Sequence, residues 1–119
     1  MIAITLFTLK DKKNIEKYKE WALSDVRPRM MLMDSVKGFL DYTVTGFFNH
    51  DGVKYDFIEI IEITSQKDFE EDNLKGLGLE LANEWSELVD DYILIFCEDI
   101  NLKEKIIPRF INFLTNIFY

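Results

Sequence analysis

The chain has one cysteine and one histidine. A lone thiol rules out an internal disulfide framework. Cys97 lies in the run Tyr92-Ile93-Leu94-Ile95-Phe96-Cys97. A buried, inert thiol is expected there, and the neighbouring Glu98 and Asp99 oppose the depressed pKa that a nucleophilic cysteine needs. One histidine excludes any mechanism that takes two from the same chain, and no His/Cys cluster is spaced for a metal. Phosphate-binding Gly-rich loops and nucleophile elbows are also missing. Positive charge is scarce: 14 Lys and Arg stand against 22 Asp and Glu, for a net charge of −8. Nucleic acid and anionic membrane surfaces reward basic patches, so neither is an expected partner. No apolar run approaches the ~20 residues of a membrane span. The start, Met1-Ile2-Ala3-Ile4, lacks the basic flank and cleavage pattern of a secretory leader, which makes the cytoplasm the default compartment.

What is present is apolar bulk. The 119 residues are 48% hydrophobic and 14% aromatic, enough for one domain with a real core. Residues 55–63, Tyr-Asp-Phe-Ile-Glu-Ile-Ile-Glu-Ile, are β-branched and aromatic with no Gly or Pro, so they predict a strand. The near-continuous apolar content suits a central strand. Alternation puts Glu59 on one face with Phe57 and Ile61, and Asp56 and Glu62 on the other with Ile58 and Ile60. A carboxylate midway along such a strand must be paired, hydrogen-bonded or neutral.

Around that strand the pattern is regular. Residues 2–9 predict a first strand buried on both faces. Ile15, Tyr18 and Ala22, with Trp21 beside them, mark a helix that ends or bends at Arg27-Pro28. Asp25 is placed to cap a short second helix with Pro28 in its first turn. Met30, Met31, Leu32 and Met33 form a soft apolar patch, either core filler or an adaptable pocket wall. A second strand over 36–45 and the Asp51-Gly52 turn signal lead into 55–63 as its antiparallel neighbour. Ser65 with Asp68 suggests a helix start. Gly76 and Gly78 divide that helical region, and Leu77, Leu81, Trp85 and Leu88 form one apolar face with Glu80, Glu84 and Glu87 outside it. Residues 92–97 predict the fourth strand.

The order β-α-β-β-α-β predicts an α+β, ferredoxin-like domain over 1–100: a four-stranded antiparallel sheet, strands one and three central, helices on one face. The other face would be left apolar, with Phe57, Ile61 and Tyr42 as candidates for it. Two sheets closing face to face in a homodimer would cover it and enclose a cavity; a C-terminal tail could cover it instead. Residues 101–119, rich in Ile, Phe and Leu, are expected to form an extra helix from about 107 onward that docks on its own domain or on a second subunit.

Several of these residues, in order, resemble the REDY-like (HapK-like) family. They are Trp21, Asp25 and Pro28, then Ser35-Val36 and Phe39, then Tyr55-Asp56-Phe57-Ile58-Glu59 running into Ile63-Thr64, then the strand ending in Glu98-Asp99. The resemblance covers about residues 1–100. It implies the dimeric α/β barrel fold shared with cofactor-free monooxygenases, stress-responsive barrel proteins and small dehydratases or cyclases. It also implies a homodimer, no cofactor, and aromatic heterocyclic intermediates of pigment-type secondary metabolism as ligands, whose condensation or cyclisation the protein assists. The acidic, Lys/Asn/Ile-rich composition and the added tail depart from the family.

Glu59 is the first candidate for an acid or base, since apolar neighbours would raise its pKa toward neutrality; a structural ion pair is the competing role. Asp56, near the strand's start, would bond a substrate N–H or cap a turn. His50 sits in the presumed hairpin loop, exposed unless that loop reaches a partner's cavity. Asp25, Arg27 and Arg29 form either a polar binding cluster or a surface ion-pair cluster. Tyr42, Trp21, Trp85 and Phe57 are candidates to contact an aromatic ligand, with Trp85 the one most committed to the core. Three functions fit: a cofactor-independent enzyme for condensation, dehydration or cyclisation, a carrier of a hydrophobic metabolite, and a cofactor-free monooxygenase.

Overall fold

A computed structural model describes residues 1–52 and 54–100. Four strands make one antiparallel sheet: β1 (Ile2–Leu9), β2 (Val36–Thr43), β3 (Phe57–Ile63) and β4 (Val89–Cys97). Their spatial order is β2-β3-β1-β4, so β1 and β3 are central as predicted. Between β1 and β2 run α1 (Ile15–Trp21) and α2 (Arg27–Met30); between β3 and β4 run α3 (Gln66–Asn73) and α4 (Gly76–Leu88). The α+β, ferredoxin-like βαββαβ plan is observed. The segment from 101 onward, with its expected helix, lies outside the described residues.

Element boundaries differ where local chemistry was misleading. The helix does not break at Arg27-Pro28. Ala22–Val26 form a π-turn in which the Arg27 N–H reaches back to the Ala22 carbonyl, and the backbone stays helical through α2. The wider turn leaves room for the proline ring, which would otherwise clash with the preceding turn. Asp25 therefore caps nothing and pairs with Arg29 one turn on. β4 begins at Val89, three residues before the predicted strand, and includes Asp90 and Asp91. Conversely β2 stops at Thr43 and β3 starts at Phe57, both short of the predicted limits. Ser65 does cap α3, accepting from the Asp68 N–H at 3.0 Å. The α3–α4 break occurs at Gly76, whose φ of +54° is left-handed.

The strand faces are unequal, and here two expectations are corrected. β1 is buried on one face only: Ala3, Thr5, Phe7 and Leu9 are covered, while Ile2, Ile4, Leu6 and Thr8 are partly open in the single chain. The covered face carries the helices, and Phe57 and Ile61 belong to it rather than to the open face. Phe57 packs on Phe7 and Tyr18, with ring centroids 5.5 and 4.8 Å away. Ile61 packs with Met30, Phe39 and Phe69. The apolar part of the open face consists instead of Ile2, Ile4, Leu6, Leu40, Tyr42, Ile58, Ile60, Ile93 and Ile95, which the strand registers bring together, with the exposed Glu62 at one end opposite Ile2 and Gly38. Cys97 ends this face opposite Ile2 and is half-buried rather than buried. The methionine patch is split: Met30 and Met33 enter the core, while Met31 and Leu32 are exposed.

Under the helices the core falls into two apolar clusters, one around Ala3, Phe39 and Ile61 and the other around Phe7, Tyr18 and Phe57. Between them one row crosses the sheet: Asp41, Glu59, Thr5 and Leu94, register partners on β2, β3, β1 and β4. Parity along each strand puts these polar groups on the helix side, between two rows of large apolar residues.

Candidate functional site

Where that row meets the helices the layers part and leave a cavity of about 700 Å³. It lies between sheet and helices within one chain, a place not considered in the open-face argument. Its walls come from both helical segments and the sheet: Trp21, Val26 and Met30, then Phe69 and Leu74, then Leu81 and Trp85, with Phe39, Ile61, Tyr92, Leu94 and Phe96 below. The volume suits a small organic ligand, and the walls are those of an apolar, aromatic-lined pocket. Its ionisable lining groups are Glu59, Glu70 and Tyr92; no Lys, Arg or His is among the described lining residues.

Glu59 is the buried carboxyl of this pocket, 8% exposed. Three groups define its environment. From α1, Tyr18 donates its hydroxyl hydrogen to Glu59 Oε1 at 3.1 Å. On β2, Asp41 stands directly opposite and is itself paired to the Arg27 guanidinium. On β1, Thr5 is the opposite neighbour. Burial pushes the Glu59 pKa up to about 7, reinforced by the Asp41 charge and only partly offset by the Tyr18 hydrogen bond. The Tyr18 phenol is pushed far above its ordinary range, first by its own burial and then by Glu59. Near neutrality the pair is therefore a carboxyl poised to gain or lose a proton beside a phenol that stays a donor.

The aromatic wall is held edge to face. Phe7 meets Trp85 at 5.1 Å, Trp85 meets Tyr92 at 5.2 Å, and Tyr18 meets Trp21 at 5.7 Å. The Trp85 Nε1 hydrogen is buried without a well-formed hydrogen bond among the described residues. It lies near enough to the Tyr18 oxygen to favour the phenolate slightly. The contact is weak and leaves a donor available at the pocket wall.

The predicted site residues separate into two groups. Glu59, Trp21 and Trp85 converge on the cavity. Phe57 lies in the core beneath it, behind Tyr18. Asp56 accepts from the Leu9 N–H at 2.9 Å and pairs with Lys12, anchoring the entry to β3 away from the cavity. His50 is exposed in the connection between β2 and β3, where it bridges Phe47. Tyr42 is half-exposed on the open face and borders a second, smaller cleft. Asp25 joins Glu80 and Glu84 around Arg29, tying α2 to α4. Arg27 belongs to a different pair from its neighbours, the one with Asp41. Sequence reasoning missed Tyr18 and Asp41. Tyr18 stood only as one member of a helical stripe, although its hydroxyl, buried on such a stripe, demands a partner. Asp41 becomes significant only once the β2–β3 register is known.

The first hundred residues match the family model described as REDY-like protein HapK, so the chain belongs to the REDY-like HapK family. Among solved structures, HapK from Hahella chejuensis superposes with a TM-score of 0.66 at 18% identity, covering 82% of this chain and 93% of that one. A DABB family protein with a ferredoxin-like fold from Mesorhizobium loti gives 0.65 at 17% identity, covering 82% and 95%. A Bacteroides fragilis protein described as dimeric, with a ferredoxin-like fold, gives 0.59 at 12% identity, covering 82% and 94%. At such identities these likenesses carry the fold. No curated protein matches the sequence. Among the described residues no helix is long and apolar enough to cross a membrane.

Proposed function

We propose that this protein binds a small aromatic or heteroaromatic metabolite in the cavity between sheet and helices. There it acts as a cofactor-independent enzyme assisting a condensation, dehydration or cyclisation of the kind found in pigment-type secondary metabolism. The observation that carries this reading is Glu59: a buried carboxyl with a pKa near 7 in an otherwise apolar, aromatic pocket, oriented by the Tyr18 hydroxyl. Ionised, Glu59 takes a proton from an acidic C–H or N–H of the ligand. Protonated, it returns that proton to a departing hydroxyl, which leaves as water. Trp21, Trp85 and Tyr92 flank the flat ligand. The acidic lining makes neutral or cationic molecules the preferred guests and disfavours anionic ones.

The apolar open face of the sheet supports a homodimer, as does the relative described as dimeric. On one edge strand Leu40 and Tyr42 are about half exposed there, 52% and 50%, and on the opposite edge strand Ile93 and Ile95 are exposed at 43% each, a surface that water does not favour.

The test is Glu59→Gln, which keeps the shape and removes the proton. Binding is read with the neutral dye Nile red, and turnover with a pyrrole or indole plus an aromatic aldehyde, followed by visible absorbance of the condensed product. The wild type should accelerate condensation, and the variant should lose roughly 100-fold or more while binding the dye about as well. Turnover that survives the substitution removes Glu59 as the acid/base. Dye binding by both proteins with acceleration by neither makes the protein a carrier.

A further inference from the structure

A second cleft of about 210 Å³ lies on the other side of the Tyr18–Glu59 pair, bordered by Tyr18, Arg27, Asp41, Tyr42 and Phe57. Glu59 faces the main cavity, whereas Tyr18 and Asp41, its two polar neighbours, border this smaller one. Arg27 Nη2 pairs with Asp41 Oδ1 at its edge, with the two side chains 35% and 14% exposed. The Arg27 Nε hydrogen is buried and finds no acceptor among the described residues. A guanidinium held in place despite an unpaired buried donor calls for a reason beyond local packing.

We propose that Asp41 and Arg27 act as a charge-setting pair for Glu59: Asp41 confronts Glu59 across the ladder, and Arg27 limits how much of the Asp41 charge Glu59 feels. The inference rests on the reading of Glu59 as the carboxyl of the main cavity and adds two positioning residues to it. Opposite residues of an antiparallel ladder have Cβ atoms roughly 5 Å apart, so two carboxyl groups at such positions repel strongly when both are ionised. The Asp41 charge works against ionisation of Glu59 in the direction expected. Around Glu59 the other packed elements add little charge: α1 contributes the Tyr18 phenol, β1 the neutral Thr5, α4 the indole of Trp85, β4 the Tyr92 phenol and α3 the rim residue Glu70. Arg27 is the cation of this set, and it reaches Glu59 through Asp41.

The test is a carboxyl-carbon NMR titration of the full chain without substrate, with the Glu59 signal assigned by its loss in Glu59→Gln. In Asp41→Asn the Glu59 midpoint should fall by roughly one pH unit, and in Arg27→Gln it should rise by a similar amount. Arg27→Lys should restore the midpoint to within a few tenths of the wild type. An unmoved midpoint in Asp41→Asn overturns the proposal, and so does movement of both neutral variants in one direction, which would report structural disturbance instead. If Arg27→Gln fails to fold, Asp41→Asn and Arg27→Lys decide it. Because no turnover is measured, this outcome is independent of whether Glu59 proves catalytic.

Discussion

Glu59 makes a thermodynamic signature that needs no substrate. Its pKa is about 7 in the fold against an ordinary 4.5. As pH rises between those values the unfolded chain gives up its proton while the folded chain keeps it. The slope of unfolding free energy with pH follows protons bound unfolded minus protons bound folded, so it is negative here. Stability contributed by this group is thus fully present below the lower value and lost as pH rises through the folded one. At about 1.4 kcal/mol per pH unit the whole effect is roughly 3 kcal/mol, and about 2 kcal/mol of it falls between pH 5.5 and 8.5. That window stays above the isoelectric point near 4.6, where the chain loses its net charge. Asp72, whose pKa is lowered mainly by its Ser35 hydrogen bond, has the opposite sign and titrates below the window. The raised Tyr18 phenol titrates above it.

Glu59→Gln keeps an acceptor for the Tyr18 hydroxyl and removes the titration. Urea unfolding at fixed protein concentration, repeated across pH 5.5–8.5, should show the wild type losing about 2 kcal/mol more than the variant. That is a relative midpoint displacement of about 1 M urea for a chain of this size. Parallel pH profiles, or a wild type that gains stability relative to the variant over this range, would refute the reasoning. Either result would mean that the carboxyl is wet or already paired.

Two further perturbations test the frame that holds the site. Gly78→Ala should destabilise by about 1–3 kcal/mol, against its helix propensity, because a Cβ there would stand 2.0 Å from the Asp72 carbonyl oxygen; thermal melting should show a fall of several degrees, with Gly46→Ala, which meets nothing within 4 Å, as the neutral control. Ile60→Lys puts a charge at the middle of the open face, opposite Ile4 and Leu40, and should weaken self-association at least about 100-fold in sedimentation; a wild type that sediments as a monomer would dismiss the dimer.

The fold was legible because its signals are local and agree with one another. Alternation, Gly76, Ser65 and the stripe from Leu77 to Leu88 all point to one βαββαβ order. What escaped reading depended on pairing between distant segments. In β1 and β3 both faces are apolar, so alternation defines two faces without saying which one the helices take. A subtler difference was present: Ala3, Thr5, Phe7 and Phe57 on one side, with small residues beside aromatics, and mostly Ile and Leu on the other, with Thr8 and Glu62 at its ends. The first makes room for a cavity and the second makes a flat seam. Asp41 could not be matched to Glu59 by counting, because the long connection from Thr43 to Phe57 leaves the β2–β3 register unset by any tight turn. At Pro28 the expected short helix with the proline in its first turn is present, but a π-turn joins it to α1 where a break was expected.

The alternation along β3, once its covered face is known, bears on the relation between assembly and chemistry. Glu59 and Ile60 are consecutive, yet one points into a cavity built by a single chain and the other into the face proposed for the dimer. Strand geometry permits no other arrangement, since successive side chains leave opposite faces. The two functions of β3 are therefore separable by single substitutions. Ile60→Lys should abolish association while leaving Nile red bound in the cavity, and Glu59→Gln should do the reverse to chemistry and leave the dimer intact. Loss of dye binding in Ile60→Lys, with the fold preserved, would mean that the partner shapes the cavity through the sheet, and the division of β3 into two independent faces would fail.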